Sequence, residues 1–236
     1  MAISQPSGHS GLSGLVVAVD GPSGSGKSSA SRGVAQALGL RYLDTGAMYR
    51  ALTWWLMSQG ADTTDRTRVA ELATVPAIEV STDPDDPWTR VDGTDVSADI
   101  RTREVSAQVS VVARVPEVRA HLIAMQRAII AAARSGIVAE GRDIGTVVAP
   151  DAELKVFLTA DSGARAQRRA AEQGGAVDAT EAAQARRDML DAAQSTKADD
   201  AVLIDATDLS LPAVIEEISR LARQRTQLAC AGEKST

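Results

Sequence analysis

Residues Gly21 to Ser29 read GPSGSGKSS, and the spacing Gly21-x-x-x-x-Gly26-Lys27-Ser28 is that of a loop that cradles phosphate. Glycines at 21, 24 and 26 let successive backbone N–H groups converge on one anion, an approach that a Cβ would obstruct. A helix beginning near Lys27 adds the positive end of its dipole. Lys27 is then placed to bridge the β- and γ-phosphates of a nucleoside triphosphate, and the Ser28 hydroxyl to ligate Mg²⁺. Gly21, Pro22, Ser23, Gly24, Ser25, Gly26, Lys27, Ser28 and Ser29 therefore form the candidate nucleotide-binding loop. The acceptor of the phosphoryl group is not named by this motif.

A loop of this kind works only between a buried strand and a helix, and LVVAVD before it and SSASRGVAQALG after it read as those two elements. Leu40 to Leu43 suggests a short second strand, and AMYRALTWWLMSQG has the spacing of a helix, with Trp54 and Trp55 as packing residues. Residues 61–100 change character: AIEVST and TRVDG read as short strands around the turn-rich DPDDP, an insertion into the pattern. From Thr102 the chain is helical again, with Pro116 at a first helical position and Val118, Leu122, Met125 and Ile129 forming one apolar stripe. IVAEG, ELKVFLTA and VLIDAT are further strands, and IVAEG delivers Arg142 and Asp143 into a turn. Two charged helical stretches, DSGARAQRRAAEQ and TEAAQARRDMLDAAQ, precede VLIDAT, and an amphipathic helix follows it. Strands alternating with helices imply an α/β fold, a parallel sheet with helices on both faces. Ligands in such sheets sit beyond the carboxyl ends of the strands, which puts the phosphate loop, Asp44 to Arg50, and Arg142-Asp143 around one crevice.

Composition excludes several classes. A chain of 236 residues with 44% hydrophobic and 24% charged residues has ordinary globular usage. A net charge of −6 argues against a nucleic-acid surface, while arginines gathered in one cleft can still bind an anionic substrate. The opening MAISQPSGHSGLSG lacks a basic and an apolar signal region, and no later run suits a membrane span, so the expectation is a cytoplasmic protein without membrane attachment. One cysteine, Cys230, forms no internal disulfide, and His9 and His121 do not suggest a metal site.

GPSGSGKSS, LDTGAMYRAL, DVSADIRTREVS, EGRDIGTVVAPDAELKVFLTA and RRDMLD, in that order, resemble the bacterial cytidylate kinases among the nucleoside monophosphate kinases. The resemblance covers roughly residues 15 to 228 apart from the middle of the insertion, and EGRDIGTVV followed by PDA is far more specific than the phosphate loop alone. It implies a five-stranded parallel sheet of order 2-3-1-4-5, an acceptor-binding insertion at about 61–100 and a lid at about 161–200. The corresponding divisions are a flexible N-terminal segment 1–14, a single kinase domain 15–228 and a flexible tail 229–236. ATP and Mg²⁺ are the implied donor and metal, and CMP and dCMP the implied acceptors of a protein working as a monomer.

The resemblance also assigns site residues. Arg50 and Arg142 match the family's acceptor-phosphate arginines, and Asp44 and Thr45 lie in the matching LDTGAMYRAL segment. Asp143 matches a carboxylate that accepts from the cytosine N4 amino group, where uracil would present an acceptor instead. Ser110 and Arg119 match two further base-reading positions. Arg187 and Asp191 match residues near the acceptor ribose, although an ordinary ion pair four residues apart on a solvated helix accounts for them equally. Lys27, Arg142 and Arg187 make up the implied catalytic set. Arg165 is a candidate for the ATP side, against the reading of Arg165, Arg168 and Arg169 as a solvated basic face.

Three rival readings remain at this stage, one of them a degenerate, non-catalytic nucleotide-binding module, against which the intact Lys27 and Ser28 weigh. A nucleotide switch or hydrolase is compatible with the loop alone, but the chain contains no asparagine, so the guanine-reading N-K-x-D motif is absent. A small-metabolite kinase is set aside only through the resemblance at Ser110, Arg119 and Asp143. One departure stands out: the family's lid pattern R-D-x-x-D-S-x-R here runs from Arg187 to Gln194, which lacks the last arginine. Lys197, three residues on, is the expected substitute if the helix continues that far, against the equally weighted reading of a solvated lysine.

Overall fold

The computed structural model describes residues 12–173, 182, 185, 186, 188–192 and 195–233. Five strands, β1 (Val16–Asp20), β2 (Arg41–Asp44), β6 (Ile137–Gly141), β7 (Leu154–Thr159) and β8 (Val202–Asp205), form one sheet of order β2-β6-β1-β7-β8. All pairings are parallel, with Val17 opposite Val138 on one side and Leu154 on the other. Counting these five strands alone gives 2-3-1-4-5, the implied order. β6 is buried at all five positions, as a central strand covered on both faces must be.

Alternation along β1 shows how the two faces fill. Val17 and Val19 pack with Val34, Leu38, Leu158 and Ile218, whereas Ala18 packs with Leu43, Met48, Leu52 and Leu122 on the opposite face. The first layer is covered by α1 (Lys27–Leu38) and α7 (Leu211–Glu233), the second by α2 (Thr45–Ser58) and α5 (Pro116–Ala132). The Asp44 side chain caps α2 by accepting from Ala47 N at 2.9 Å. Pro116 opens α5, where a missing N–H costs nothing. Val118 and Leu122 are fully buried, and Met125 and Ile129 pack against the same core, so the apolar stripe is structural.

The insertion carries α3 (Arg66–Leu72) and a small antiparallel sheet, β3 (Ile78–Val80), β4 (Thr89–Val91) and β5 (Thr94–Asp95), before α4 (Arg103–Val112). Positive φ at Asp92 (50°) and Gly93 (78°) makes the two-residue turn between β4 and β5. Trp55 lies in the core, as a packing residue should, and its indole N–H donates to Asp92 at 3.1 Å, tying α2 to this turn. The helix α3 and the strand β5 are additions to the sequence reading. With Val69 its only buried residue, α3 offers no periodic stripe to read.

Both outer boundaries move. Gly14 N donates to Arg134 O at 3.1 Å and Leu15 N to Leu12 O at 3.1 Å, so the packed chain begins before residue 15. α7 runs to Glu233, past the boundary expected at 228, because nothing in Leu228-Ala-Cys-Ala breaks a helix. Residues 1–11 and 234–236 lie outside the described residues. Beyond β7 come α6 (Ser162–Gln173) and the helical residues 188–191.

Candidate active site

The phosphate loop leaves the end of β1 through Gly21. Its φ is 148°, and a Cβ there would sit 2.0 Å from Leu158 O, so only glycine passes this point. Gly26, left-handed at φ 90°, opens α1. Lys27 is buried, and its ammonium group donates to Pro22 O at 2.6 Å and lies 3.5 Å from Ser25 Oγ, curled into its own loop.

Beside the loop stands Glu140, a carboxylate at the end of buried β6. Tyr42 Oη donates to its Oε1 at 2.7 Å, and Ser28 is a polar neighbour that favours its charged form. Burial, and then the charge of Asp44, push its pKa up to about 6, while Lys27, Ser28 and Tyr42 pull the other way. Asp20, the last residue of β1, accepts from Ile144 N and Gly145 N at 2.8 Å each. Its pKa is nonetheless raised, because burial outweighs those two bonds and Asp143 adds repulsion. The effect of Asp20 is to fix the wide turn Ile144–Val148, and with it Arg142 and Asp143, against the strand that carries the loop.

A cavity of about 150 Å³ opens from the loop toward α2, α4 and α5. It brings together Ser23, Gly24, Lys27, Ser28, Asp44, Thr45, Arg50, Ser110, Arg119, Arg142, Asp143 and Asp191 from the sequence reading. Gly21, Pro22, Ser25 and Gly26 shape the loop behind it. Ser29 instead faces a second cavity of about 300 Å³ beneath the insertion, which Ser28 also reaches. Arg50 is buried and donates to Ile100 O at 3.0 Å and Ser106 Oγ at 2.8 Å. The Ser110 hydroxyl is buried without a hydrogen-bond partner among the described residues, a group that a ligand can satisfy.

Charge around the cavity is organised in arginine–aspartate pairs. Arg119 pairs with Asp143, Arg142 Nε with Asp191 Oδ2 at 3.1 Å, and Arg101 with Asp44 Oδ2 at 3.1 Å. On the loop side, Arg165 Nη1 donates to Ser23 O at 3.1 Å and to Asp188 Oδ2 at 2.5 Å, and Arg168 Nη1 donates to Ser25 O at 3.3 Å. Arg165 and Arg168 thus face the loop and not solvent; nothing is described of the Arg169 side chain. Arg187 and Gln194 lie outside the described residues, so the expected pairing of Arg187 with Asp191 lies there too.

The substitute expected at Lys197 is corrected. Residues 195–198 are not helical, and the exposed Lys197 ammonium donates to the carbonyls of Ala198 at 3.1 Å and Ala201 at 3.3 Å, away from the cavity. Glu140, Asp20, Tyr49, Arg101 and Asp188 are the neighbours that sequence reasoning missed, and Arg168 entered it only as part of a solvated face. Tyr49 lines the cavity, and burial raises its phenol to about 12, so it is a neutral hydroxyl there.

Comparison with known proteins accords with this geometry. The family described as Cytidylate kinase matches residues 17–224. A cytidylate kinase of Streptomyces coelicolor is 55% identical over 216 residues, covering 89% of this chain and 94% of that protein. One from Nocardia farcinica is 46% identical over 226 residues, covering 92% and 97%. Among solved structures, a gluconokinase from Sinorhizobium meliloti 1021 shares the fold, with a TM-score of 0.52 at 17% identity over 92% of this chain and 97% of that one. A phosphate loop joined to an arginine-lined cavity, on a chain matched by that family from residue 17 to residue 224, means that the protein belongs to the cytidylate kinase family.

Proposed function

We propose that the protein transfers the γ-phosphoryl group of ATP to CMP or dCMP, giving CDP or dCDP by direct in-line displacement in pyrimidine nucleotide metabolism. The observation that carries this reading is one cavity whose wall runs from Lys27 and Ser28 to Ser110, Arg119 and Asp143. Phosphoryl transfer needs positioning and charge neutralisation more than covalent help, so no general base and no covalent intermediate are invoked. Lys27 leaves Pro22 O for the donor phosphates. Arg50 and Arg142 hold the acceptor phosphate, Arg142 exchanging Asp191 for it. Asp143 exchanges Arg119 for the cytosine amino group, which leaves Arg119 and the Ser110 hydroxyl for the other polar atoms of the base. Arg187, Asp191, Asp44 and Thr45 complete the acceptor side, and Arg165 the donor side.

Mg²⁺ fits the residues present. The Ser28 hydroxyl would hold it, with the Glu140 carboxylate beside it, hard oxygen donors of the kind this ion takes with few protein ligands and several waters. When bound, the ion supplies charge neutralisation between the donor's phosphates. The protein is proposed to act as a cytoplasmic monomer on small molecules, with neither nucleic acid nor membrane as partner. Among the described residues no helix is long and apolar enough to cross a membrane.

A coupled assay of ADP release against CMP, dCMP, UMP, AMP and no acceptor tests the proposal. Rapid release with CMP and dCMP and slow release with UMP are expected. Equal release with and without CMP would replace the kinase by a hydrolase.

A further inference from the structure

Two carboxylates one helical turn apart grip arginines at opposite ends of the site. Asp188 holds Arg165, which also touches Ser23 O in the phosphate loop. Asp191 holds Arg142, which lines the acceptor cavity. Residues three apart lie on one helix face, so a continuous path runs from Ser23 through Arg165, Asp188, Asp191 and Arg142 into the cavity. Both pairs are partly withdrawn from water: the side chains of Arg165 and Asp188 are 13% and 27% exposed, those of Arg142 and Asp191 22% and 11%. Their attraction is therefore less screened than that of a surface pair.

We propose that Asp188 is a positioning residue that couples occupancy of the phosphate loop to occupancy of the acceptor cavity. The inference rests on the kinase reading above. In the ligand-free protein the two ion pairs hold residues 188–191 against both arginines at once. Donor phosphates at the loop compete with Asp188 for Arg165. Once that hold is lost, the same helical turn releases Arg142 more readily, and a second ligand no longer has to break it. Each ligand thereby tightens the other, and the coupling is reciprocal because it is an equilibrium property. Direct contact between two bound nucleotides could also produce synergy, but that route would not depend on Asp188.

Calorimetric titration decides between them. The dissociation constant of CMP is measured with and without the magnesium complex of adenylyl imidodiphosphate, on the parent, Asp188→Asn and Asp188→Glu. The parent should bind CMP about fivefold or more tightly when the donor analogue is present, the lower end of usual couplings. In Asp188→Asn, CMP alone should bind nearly as tightly as it does to the parent's donor complex, while the affinity in the donor complex stays the same. Asp188→Glu should keep the parent's synergy. A merely structural role for Asp188 would weaken CMP in both states, and that result, an unchanged synergy in Asp188→Asn, or no synergy in the parent would each overturn the proposal. Failure of CMP to bind the parent at all would instead remove the kinase reading on which it rests.

Discussion

The phosphate loop and the acceptor cavity lie side by side but are built from different materials. The loop is nine consecutive residues whose work is done by backbone: left-handed glycines, N–H groups, a helix start, and a passage at Gly21 too narrow for any Cβ. The cavity is built from side chains brought from α2, α4, α5, β6 and the lid, and its charges are held by ion pairs between residues up to 57 positions apart. A backbone site is preorganised, so its N–H groups meet the anion without first leaving a partner, and the Lys27 side chain leaves only the loop's own Pro22 carbonyl. In the cavity, by contrast, Arg119, Arg142 and their aspartates each have a partner to give up. Loss of a fixed group in the loop should accordingly cost turnover, and loss of an exchangeable one should shift selectivity or affinity.

Lys27→Ala gives the largest effect. It removes the loop's one side-chain charge, and groups of this electrostatic kind are worth roughly 10² to 10³ in turnover. The check is kcat with CMP saturating, beside a calorimetric measurement that CMP still binds. Near-normal turnover would mean that the loop binds without stabilising the transition state, which would erase the distinction.

Asp143→Ala is next. Loss of one charge-assisted hydrogen bond is worth about 1.5 to 3 kcal/mol, so the ratio of kcat/KM for CMP over UMP should fall roughly ten- to a hundredfold. The KM for ATP should change little. Asp143→Ala also leaves Arg119 without its carboxylate, and an unchanged ratio would show that the base is read elsewhere.

The same contrast explains what could be read from the sequence. The loop was legible whole because its signal is local, a fixed spacing between a strand and a helix. Ser110, Arg119 and Asp191 were reached only by resemblance to a family, Arg50, Arg142 and Asp143 also by their place beyond the strand ends, and the structure gathers all six around one cavity. Glu140 and Asp20 were missed because each reads as the end of an apolar strand, and their significance lies in contacts with Tyr42, 98 residues away, and Ile144, 124 residues away. In the insertion, AIEV and TRV could be recognised by composition, while β5, two residues long, could not. The boundary expected at 228 moves for a simpler reason: no helix breaker stands in Leu228-Ala-Cys-Ala, and the helix runs on to Glu233.

Asp20 is where the two regions meet, since it ends the strand that carries the loop and holds the turn that carries Arg142 and Asp143. Asp20→Asn keeps one acceptor oxygen but sets an amide N–H against the second backbone N–H, so the turn should loosen. The CMP over UMP ratio should fall by several-fold, less than in Asp143→Ala, because the reading group is displaced and not removed. Stability supplies a second reading with a definite sign. Burial raises the folded-state pKa of Asp20 above 3.8, so the folded chain holds this proton more tightly than the unfolded chain does. Its contribution to stability is therefore largest below 3.8 and falls as pH rises through the raised value. Parent stability minus Asp20→Asn stability, from urea unfolding across that window, should decrease with rising pH; an increase would mean that the two backbone bonds outweigh burial.

The smallest effect is expected at Lys197, and it tests whether charge anywhere in the lid region can serve the acceptor phosphate. A lysine near the missing arginine could supply a point charge only if its stem reached the cavity. Its ammonium group is instead held by the carbonyls of Ala198 and Ala201, in a segment that has already left the helix, and it is not part of the cavity wall. Arg101, by contrast, already lines that wall beside Arg50, whose guanidinium grips the carbonyl of the preceding Ile100. Lys197→Ala should therefore leave kcat/KM for CMP within about twofold of the parent, as surface substitutions away from a site usually do. Arg101→Ala, measured in the same assay, should cost more than Lys197→Ala. A tenfold loss in Lys197→Ala would show that the lid brings this lysine to the phosphate during turnover, and that the cavity recruits charge from beyond the residues that line it at rest.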